Sequence, residues 1–309
     1  MKVLITGCAG FIGSHTVDKF LPDNNYNIVG LDKFTYAAKE SNLESARGHN
    51  RFKMYRGDIC DFLFLKKICI DENINWIINF AAETHVDNSI KDSKDFLRTN
   101  IGGVVSILNV CKDLKINLLH ISTDEVYGSK KSGSFTETDK LNPRNPYSAT
   151  KAAAEHMIKS YENTHDVNAI IVRPSNNFGP RQHSEKFLPT IIKSINNDLE
   201  IPVYGTGKQI REWLYVKDNA SAIKFILEKG DIGSIYNITS SYEVKNLDFI
   251  DLVYESLEKT CNKKIKFVQD RLGHDFRYSI DNNKLKSLGF DKFTDMKDAL
   301  RETLNEEIK

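Results

Sequence analysis

Residues 6–13, Thr6-Gly7-Cys8-Ala9-Gly10-Phe11-Ile12-Gly13, stand between an apolar run and the first helical pattern of the chain. The apolar run at residues 2–6 predicts a buried strand, and residues 14–21 predict the helix that follows. The glycines allow a tight turn and the close approach of a pyrophosphate, which free N–H groups at a helix N-terminus bind. The G-x-x-G-x-x-G spacing differs from the simplest dinucleotide fingerprint, G-x-G-x-x-G, so a tight strand–helix corner remains the alternative.

Asp32 supports a dinucleotide site. It ends the second predicted strand, about 20 residues beyond the glycines, where a carboxylate accepts hydrogen bonds from a ribose 2′-hydroxyl. Its charge would repel a 2′-phosphate, which favours NAD over NADP, although Lys33 follows at once and could soften that exclusion. Asp58 closes the third strand and could hold the adenine amino group, with a helix N-cap as the alternative.

Segments that read as strands and helices alternate through the first half of the chain. Strict alternation predicts an α/β fold with a parallel sheet and helices on both faces, and continuous apolar runs fit strands buried on both sides. We therefore expect a doubly wound sheet of the Rossmann type. The predicted strands are residues 2–6, 27–31, 53–56, 76–80, 118–121 and 169–172, and the predicted helices are 14–21, 62–72, 94–115 and 148–165.

The second half is less regular and predicts a smaller α/β lobe that binds substrate. No linker or repeat separates the halves, so the boundary between a dinucleotide-binding domain (1–175) and the lobe (176–309) is soft. We expect the chain to cross between the two more than once. Helices are predicted at 187–196, 218–229, 246–260 and 296–307, and short strands at 202–204 and 234–238.

Composition argues against several classes of protein. The formal net charge of the 309 residues is +1, which gives no overall basic surplus for binding nucleic acid. The sequence has no apolar run of about 18 residues, so no membrane span is predicted. The N-terminal apolar run is interpreted as a buried strand and not as a targeting segment. The odd number of cysteines and the lack of a C-x-x-C pair predict a reduced, cytoplasmic protein with no metal site. The cysteines are Cys8, Cys60, Cys69, Cys111 and Cys261.

Tyr147 and Lys151 form a Y-x-x-x-K pair in a helical stretch. The i, i+4 spacing puts both side chains on one helical face. A neighbouring ammonium favours the phenolate, so we expect Lys151 to lower the pKa of Tyr147 toward working pH. Lys151 can also hydrogen-bond the nicotinamide ribose. The pattern alone usually means an exposed helix pair, but it is more specific after a glycine-rich dinucleotide turn.

From Met1 to about Leu304 the chain resembles the extended short-chain dehydrogenase/reductase family, and within it the nucleotide-sugar 4,6-dehydratases. The segments that carry the resemblance are TGCAGFIGSH, LDKFTYA, FAAETHVDNSI, TNIGG, HISTDEVYG, NPYSATKAAAEH, RPSNNFGPRQHSEKFLP, PVYGTGKQIREWLYVKD and RLGHDFRYSID. The resemblance implies NAD that stays bound and is regenerated in each turnover. The cofactor contacts expected from the motifs and the resemblance are Gly7, Gly10, Phe11, Ile12, Gly13, Asp32, Lys33, Asp58, Ile59, Ala81, Ala82, Tyr147 and Lys151.

The resemblance also implies a reaction in three linked steps. The C4 hydroxyl of a nucleoside-diphosphate glucose is oxidised, water is eliminated across C5 and C6, and hydride returns to C6. The product is a 4-keto-6-deoxy sugar, made early in deoxysugar biosynthesis, for example that of rhamnose. Oxidation needs a base at the hydroxyl, whereas elimination needs a second base and an acid, and two adjacent carboxyl groups can supply these.

Asp124 and Glu125 are such a pair, placed directly after a predicted strand, where α/β sheets bind ligands. By resemblance, Asp124 is the acid that protonates the departing C6 oxygen and Glu125 is the base at C5. Thr123 hydrogen-bonds the C4 oxygen, and Tyr147 with Lys151 removes the C4 proton. An Asp-Glu pair after a strand usually caps a helix or loop, but the surrounding STDEVYG motif favours the catalytic interpretation.

Two arginines, Arg211 and Arg271, resemble the diphosphate ligands of the family, and guanidinium groups match phosphate geometry. Asn88 stands where many dTDP-glucose enzymes carry arginine, whereas RLGHDFRY and REWLYVKD look like the dTDP type. Thymine and uracil differ by one methyl group, so dTDP-glucose and UDP-glucose both remain open. The other residues expected around the nucleotide and sugar are Thr84, Asn88, Asn177, Lys186, Phe187, Pro202, Tyr204, Asn246, His274 and Tyr278.

Two other functions remain as alternatives. A 4-epimerase or a decarboxylase could use the same scaffold, but the Asp124–Glu125 pair favours dehydration over epimerisation. A non-enzymatic NAD-binding protein would be expected to have lost Tyr147, Lys151 or the carboxyl pair, and all are present.

The resemblance further implies a homodimer, in which the helices at residues 94–115 and 148–165 pair with their symmetry mates. Packing of these apolar positions on the sheet of the same subunit is the alternative. The positions are Val104, Val105, Ile107, Leu108 and Cys111 on the first helix, and Ala152, Ala153 and Met157 on the second.

Overall fold

A computed structural model describes residues 1–259 and 263–307. Most of its strands belong to one central sheet, and the others form two small sheets. The strands are β1 (Lys2–Thr6), β2 (Asn27–Asp32), β3 (Phe52–Arg56), β4 (Trp76–Asn79), β5 (Asn117–Ile121), β6 (Ala169–Pro174), β7 (Asn176–Phe178), β8 (Ile201–Tyr204), β9 (Ile210–Tyr215), β10 (Ile235–Ile238), β11 (Glu243–Lys245) and β12 (Ile265–Val268).

The helices lie between these strands along the chain. They are α1 (Phe11–Phe20), α2 (Phe62–Asp71), α3 (Val86–Lys91), α4 (Lys94–Phe96), α5 (Val104–Leu114), α6 (Pro146–His165), α7 (Phe187–Asn196), α8 (Val216–Lys229), α9 (Asn246–Ser256), α10 (Asn283–Leu288) and α11 (Met296–Glu307).

The central sheet has seven parallel strands in the order β10-β6-β5-β4-β1-β2-β3. The predicted parallel sheet of the Rossmann type is therefore confirmed. The strand order reverses at β1, which pairs with β2 on one side and with β4 on the other. Such a reversal leaves a crevice at the carboxyl ends of the strands, where ligands bind in α/β sheets.

Both faces of the sheet are buried because successive side chains of a strand point to opposite sides. Val3 and Ile5 of β1 join one core with residues of α1 and α8. Leu4, between them, joins a second core with residues of α2, α5 and α6. This division explains why the strands read as continuous apolar runs.

The second half of the chain forms the two small sheets and also returns to the central one. β9 pairs with β7 and β11, and β8 pairs with β12. Both sheets pack on α7, α9 and α11 through a separate apolar core. β10 joins the central sheet beside β6, and α8 packs on α1.

Three local predictions differ from the structure. The helix predicted at 94–115 consists of α4, a π-helical segment at Leu97–Gly103 and α5, with Lys115 in the left-handed conformation after it. The helix predicted at 246–260 ends at Ser256, and Thr260 lies outside the described residues, as does Cys261. β9 was not predicted as a strand, although its residues lie within a motif of the resemblance.

Candidate active site

The glycine-rich turn leaves no room for side chains at two of its positions. Gly7 has φ +66°, and a Cβ there would lie 2.8 Å from the backbone nitrogen of Ala81. A Cβ on Gly13 would lie 2.2 Å from the carbonyl oxygen of Gly7. Gly10 caps α1 without a side chain, and the first i→i−4 bond of the helix runs from Ser14 N to Gly10 O. The N–H groups before Ser14 thus face outward from the helix end, as an anion site requires.

Asp32, at the end of β2, is buried beside this turn. Its Oδ2 accepts a hydrogen bond from Ala9 N at 2.9 Å, and its Oδ1 accepts one from Phe34 N at 2.7 Å. Burial raises the pKa of this carboxyl group, and the bonds from Phe34 and Ala9 oppose the rise. The carboxylate is thereby fixed at the edge of the turn, where the sequence predicted a ribose contact.

Asp58 contacts two cations and does not cap a helix. Its Oδ2 lies 3.0 Å from Lys33 Nζ and 2.7 Å from Arg98 Nη2, and its Oδ1 accepts from Cys60 N. Burial alone would raise the pKa of Asp58, but these donors hold it below its usual range. The N-cap of α2 is Asp61, which accepts from Phe64 N, so the alternative interpretation of Asp58 was wrong.

A cavity of about 320 Å³ runs along the carboxyl ends of β1 to β6. All the residues predicted to bind the cofactor line it, from the glycine turn through Ile59, Ala81 and Ala82. It is also lined by Thr123, Asp124, Glu125, Tyr147 and Lys151. The structure thus brings the two predicted groups of residues into one continuous space.

Asp124 and Glu125 open the short 3₁₀ helix Asp124–Tyr127 directly after β5. Burial, followed by the charges of Glu125 and Glu212, raises the pKa of Asp124 well above its usual range. Its Oδ1 accepts from Thr123 Oγ1 at 3.1 Å, whereas its Oδ2 is buried with no hydrogen-bond partner among the described residues. Asp124 is therefore suited to hold a proton at neutral pH.

Glu125 has different neighbours. Burial raises its pKa, but a hydrogen bond from Asn145 and the charges of Arg211, Arg271 and Lys186 oppose that rise. Asn145 Nδ2 donates to its Oε2 at 3.2 Å. These neighbours favour the carboxylate form of Glu125, and a carboxylate can act as a base.

Tyr147 and Lys151 lie in the first two turns of α6, and Asn145 caps that helix. Burial, then the charge of Glu125, raises the pKa of Tyr147, and a hydrogen bond with Thr123 opposes the rise. Lys151 Nζ donates to Ile121 O at 2.6 Å, and burial lowers its pKa to about 8. The expectation that Lys151 lowers the pKa of Tyr147 is therefore wrong, because burial and the charge of Glu125 raise that pKa instead.

A smaller cavity of about 70 Å³ adjoins the first and shares Glu125 and Asn176 with it. Arg211 lies with its guanidinium 4.4 Å from the ring centre of Tyr278 and donates to the carbonyls of Ile210 and Asp275. The predicted residues Arg211, Arg271, His274 and Tyr278 all line this cavity.

Arg271 is held by a residue that the sequence did not single out. Its Nε and Nη2 donate to the two carboxylate oxygens of Asp87 at 2.6 and 2.9 Å, and its guanidinium lies 5.0 Å from the ring centre of Tyr204. Tyr204 also donates to Asp87 at 3.2 Å. The pair therefore joins α3 to the second half of the chain at the rim of the smaller cavity.

The remaining predicted substrate residues divide between three places. Thr84, Asn177 and Lys186 line the main cavity, where Lys186 Nζ donates to Thr84 O at 3.3 Å. Asn88 lines a neighbouring cavity of about 480 Å³. Four predicted residues do not line these cavities: Phe187, Pro202, Tyr204 and Asn246. Phe187 packs instead on Trp213 and Phe249.

Most apolar positions proposed for a subunit interface lie inside the subunit. Val104, Ile107, Leu108 and Cys111 pack in the core between the sheet and its helices, and Ala152 is also buried. Only the partly exposed positions among them can meet another subunit: Val105, Ala153 and Met157.

The described part of the chain holds no group of three or more His, Cys, Asp or Glu side chains arranged to hold a metal ion. Within residues 1–259 and 263–307, no helix has both the length and the apolar character needed to cross a membrane.

Comparison with known proteins agrees with this geometry. The chain is 45% identical over 301 residues to the low-salt glycan biosynthesis protein Agl12 of Haloferax volcanii, with 97% of this chain and 96% of that protein covered. It is 38% identical over 312 residues to a dTDP-glucose 4,6-dehydratase of an Actinoplanes species, with 98% and 97% covered.

A solved structure and a family model extend the comparison. The crystal structure of the dTDP-glucose 4,6-dehydratase DesIV from Streptomyces venezuelae, with NAD and dTDP bound, superposes with a TM-score of 0.95 at 36% identity, covering 100% of this chain and 97% of that one. The model of the GDP-mannose 4,6-dehydratase family matches residues 4–303. The predicted resemblance to nucleotide-sugar dehydratases is thus confirmed, and the chain belongs to the GDP-mannose 4,6-dehydratase family.

Proposed function

We propose that this protein converts a nucleoside-diphosphate glucose into its 4-keto-6-deoxy derivative, with NAD as the cofactor. The observation that carries the proposal is the Asp124–Glu125 pair, a buried and a half-buried carboxyl group that share one cavity with Tyr147 and the glycine turn. Dehydration needs an acid and a base in addition to the oxidising groups, and these carboxyl groups differ in their surroundings as that step requires. Two of the relatives described above, those from Actinoplanes and Streptomyces venezuelae, are named dTDP-glucose 4,6-dehydratases.

The residues present fit NAD. Gly7 and Gly13 let the turn pack tightly on the backbone at the start of α1, where the cavity lining begins, and Asp32 presents a fixed carboxylate beside it. Bound there, NAD would supply the acceptor for the hydrogen removed from C4, the donor for its return to C6, and a positive charge in its oxidised form. Asp32 would accept from the ribose hydroxyls and disfavour a 2′-phosphate.

In the oxidation, Tyr147 takes the proton of the C4 hydroxyl. Tyr147 must be a phenolate to accept that proton. Burial raises the pKa of Tyr147, and the positive charge of oxidised NAD, when bound, would lower it. Thr123, whose hydroxyl donates to Asp124 Oδ1 at 3.1 Å and which lines the same cavity as Tyr147, holds the C4 oxygen in this proposal. Lys151, whose Nζ donates to Ile121 O at 2.6 Å, would hold the nicotinamide ribose of bound NAD.

In the elimination, Glu125 removes the proton from C5, which the 4-keto group has made acidic. Asp124 gives its proton to the C6 hydroxyl, which leaves as water. Asn145 and the nearby cations oppose the rise in the Glu125 pKa that burial causes, which favours its role as base, whereas burial and two neighbouring carboxyl groups raise the pKa of Asp124 well above its usual range, which favours its role as acid.

We propose that the diphosphate binds at the smaller cavity, between Arg211 and Arg271, because both guanidinium groups line it next to Glu125. Lys186 adds a third cation at the junction with the main cavity. The other predicted substrate contacts, a homodimer, the division at residue 175 and a cytoplasmic location remain predictions.

The test is mass spectrometry of the purified protein incubated separately with dTDP-glucose and UDP-glucose. We expect loss of one water from at least one of them, and the higher kcat/KM identifies the preferred base. A 4-epimerase would return the sugar with its mass unchanged. Unchanged mass with both sugars, in protein shown to hold NAD, would contradict the proposal.

A further inference from the structure

A buried ion pair lies outside the cavity lining but next to the catalytic groups. Glu155 of α6 and Arg173 of β6 are both buried. Arg173 Nη2 donates to Glu155 Oε2 at 2.5 Å, and its Nε donates to both carboxylate oxygens at 3.0 and 3.2 Å. The mechanism proposed above uses neither residue.

Glu155 lies on the helical face that carries the oxidising pair. Tyr147, Lys151 and Glu155 follow one another at intervals of four residues along α6. Glu155 Oε1 accepts a hydrogen bond from Ser122 Oγ at 2.5 Å. Ser122 comes directly after β5 and immediately before Thr123, and its N–H donates to Val172 O at 2.8 Å. One carboxylate thus fastens the helix of Tyr147 to the strand end that carries Thr123, Asp124 and Glu125.

Arg173 holds the other end of the same turn. Its Nη1 donates to Tyr127 Oη at 2.5 Å, and its guanidinium lies 4.6 Å from the centre of that ring. Tyr127 closes the 3₁₀ helix that Asp124 opens, and it donates to Asn237 of β10 at 2.9 Å. The ion pair therefore holds Ser122, two positions before Asp124, and Tyr127, the residue that ends the Asp124–Glu125 turn.

We infer that Glu155 is a positioning residue, which together with Arg173 fixes the Asp124–Glu125 turn relative to Tyr147 and Lys151. The inference rests on the proposed function. Oxidation at C4 and elimination across C5 and C6 act on one bound sugar, so the phenol and both carboxyl groups must keep their spacing through both steps. A displacement of about 1 Å in such an arrangement can cost about 100-fold in rate. A buried ion pair adds little to stability compared with apolar packing, so a geometric role accounts for it better.

The test compares Glu155→Gln with a matched control on the same helix, Glu162→Gln, whose carboxylate pairs with Lys159 at 2.8 Å. We expect Glu155→Gln to lower kcat by about 100-fold. KM for the nucleotide sugar should stay near its wild-type value, because Arg211 and Arg271 are untouched. Glu162→Gln should keep both constants.

Hydrogen exchange supplies a readout that does not need turnover. Amides of residues 122–127 should exchange faster in Glu155→Gln than in Glu162→Gln. If the wild type does not dehydrate either sugar, the proposed function fails, and exchange in this segment still decides the inference. Unchanged exchange there, or wild-type kcat in folded Glu155→Gln, would overturn it.

Should Glu155→Gln not fold, the double variant Glu155→Met/Arg173→Met replaces the pair by apolar side chains, which buried sites accept more readily than a lone charge. A folded double variant with low kcat and wild-type KM supports the inference. One with wild-type kcat refutes it.

Discussion

Replacing Gly13 by alanine tests whether the glycine turn forms the pyrophosphate site. A methyl carbon at Gly13 would lie 2.2 Å from Gly7 O, whereas ordinary van der Waals contact begins at 3.4 Å, so the turn must open by roughly 1 Å. Overpacking of this kind costs about 1–3 kcal/mol. For a chain of 309 residues the melting temperature should then fall by about 1.5–5 °C.

NAD binding should be affected more than stability. Displaced N–H groups lose charge-assisted hydrogen bonds to the pyrophosphate, each worth about 1.5–3 kcal/mol, so the Kd for NAD should rise about 10- to 100-fold or more. Calorimetric titration of NAD into cofactor-free protein measures this directly, and differential scanning calorimetry gives the melting temperature.

Gly102→Ala is the matched control for Gly13→Ala. A Cβ on Gly102 would meet its nearest neighbour, Leu97 O, at 3.9 Å, and the residue lies in a helical segment. Alanine there should leave the Kd for NAD unchanged and alter stability by less than about 1 kcal/mol. If Gly13→Ala bound NAD as tightly as Gly102→Ala, the turn would not be the pyrophosphate site.

Three further substitutions test the carboxyl groups and the phenol. Glu125→Gln should oxidise C4 but stall before elimination, so NADH absorbance should build up in a single turnover; no NADH despite substrate binding would contradict its role as the C5 base. Tyr147→Phe should block NADH formation from the start, and near-normal turnover would remove Tyr147 from the mechanism. Glu212→Gln tests pH-dependent stability. Burial raises the pKa of Glu212 from 4.5 to about 7, so its contribution is fully present below pH 4.5 and is lost as pH rises through 7. Glu212→Gln should therefore unfold at a higher temperature than wild type at pH 8, by the equivalent of up to about 3 kcal/mol. The two should differ little at pH 4.5, and a difference independent of pH would refute the assignment.

The order of strands and helices in the first half could be predicted from the sequence, because each strand buried on both faces is a local apolar run. The partner of a strand is not encoded locally. Residues 234–238 were predicted as a strand of the lobe, but β10 pairs with β6 in the central sheet. The glycine turn was predictable for a similar reason, since the turn, the strand and the helix it joins are contiguous.

Contacts between distant residues were not predictable in the same way. Asp87 and Arg271 are separated by 184 positions, and no local spacing links them. In the π-helical segment Leu97–Gly103, the Asn100 side chain accepts a hydrogen bond from Glu83 N and donates one to Glu83 O, and these contacts join residues 17 positions apart. Glu155 was predictable from local sequence. It continues the four-residue spacing of Tyr147 and Lys151 on a helix with few other buried charges.

Asp124 and Glu125 are adjacent, but their surroundings differ, since Asp124 is buried and Glu125 is half-buried at the cavity. Burial and then two carboxyl neighbours raise the pKa of Asp124, whereas Asn145 and cationic neighbours oppose the rise that burial causes at Glu125; this difference supports the proposal of Asp124 as the acid and Glu125 as the base. On the proposed binding mode, the diphosphate would neutralise part of the charge of Arg211 and Arg271. The pKa of Glu125 would then rise when substrate binds, and a carboxylate with a higher pKa is a stronger base. The energy of binding the diphosphate would therefore serve the chemical step at C5 as well as affinity, because the same two arginines control both.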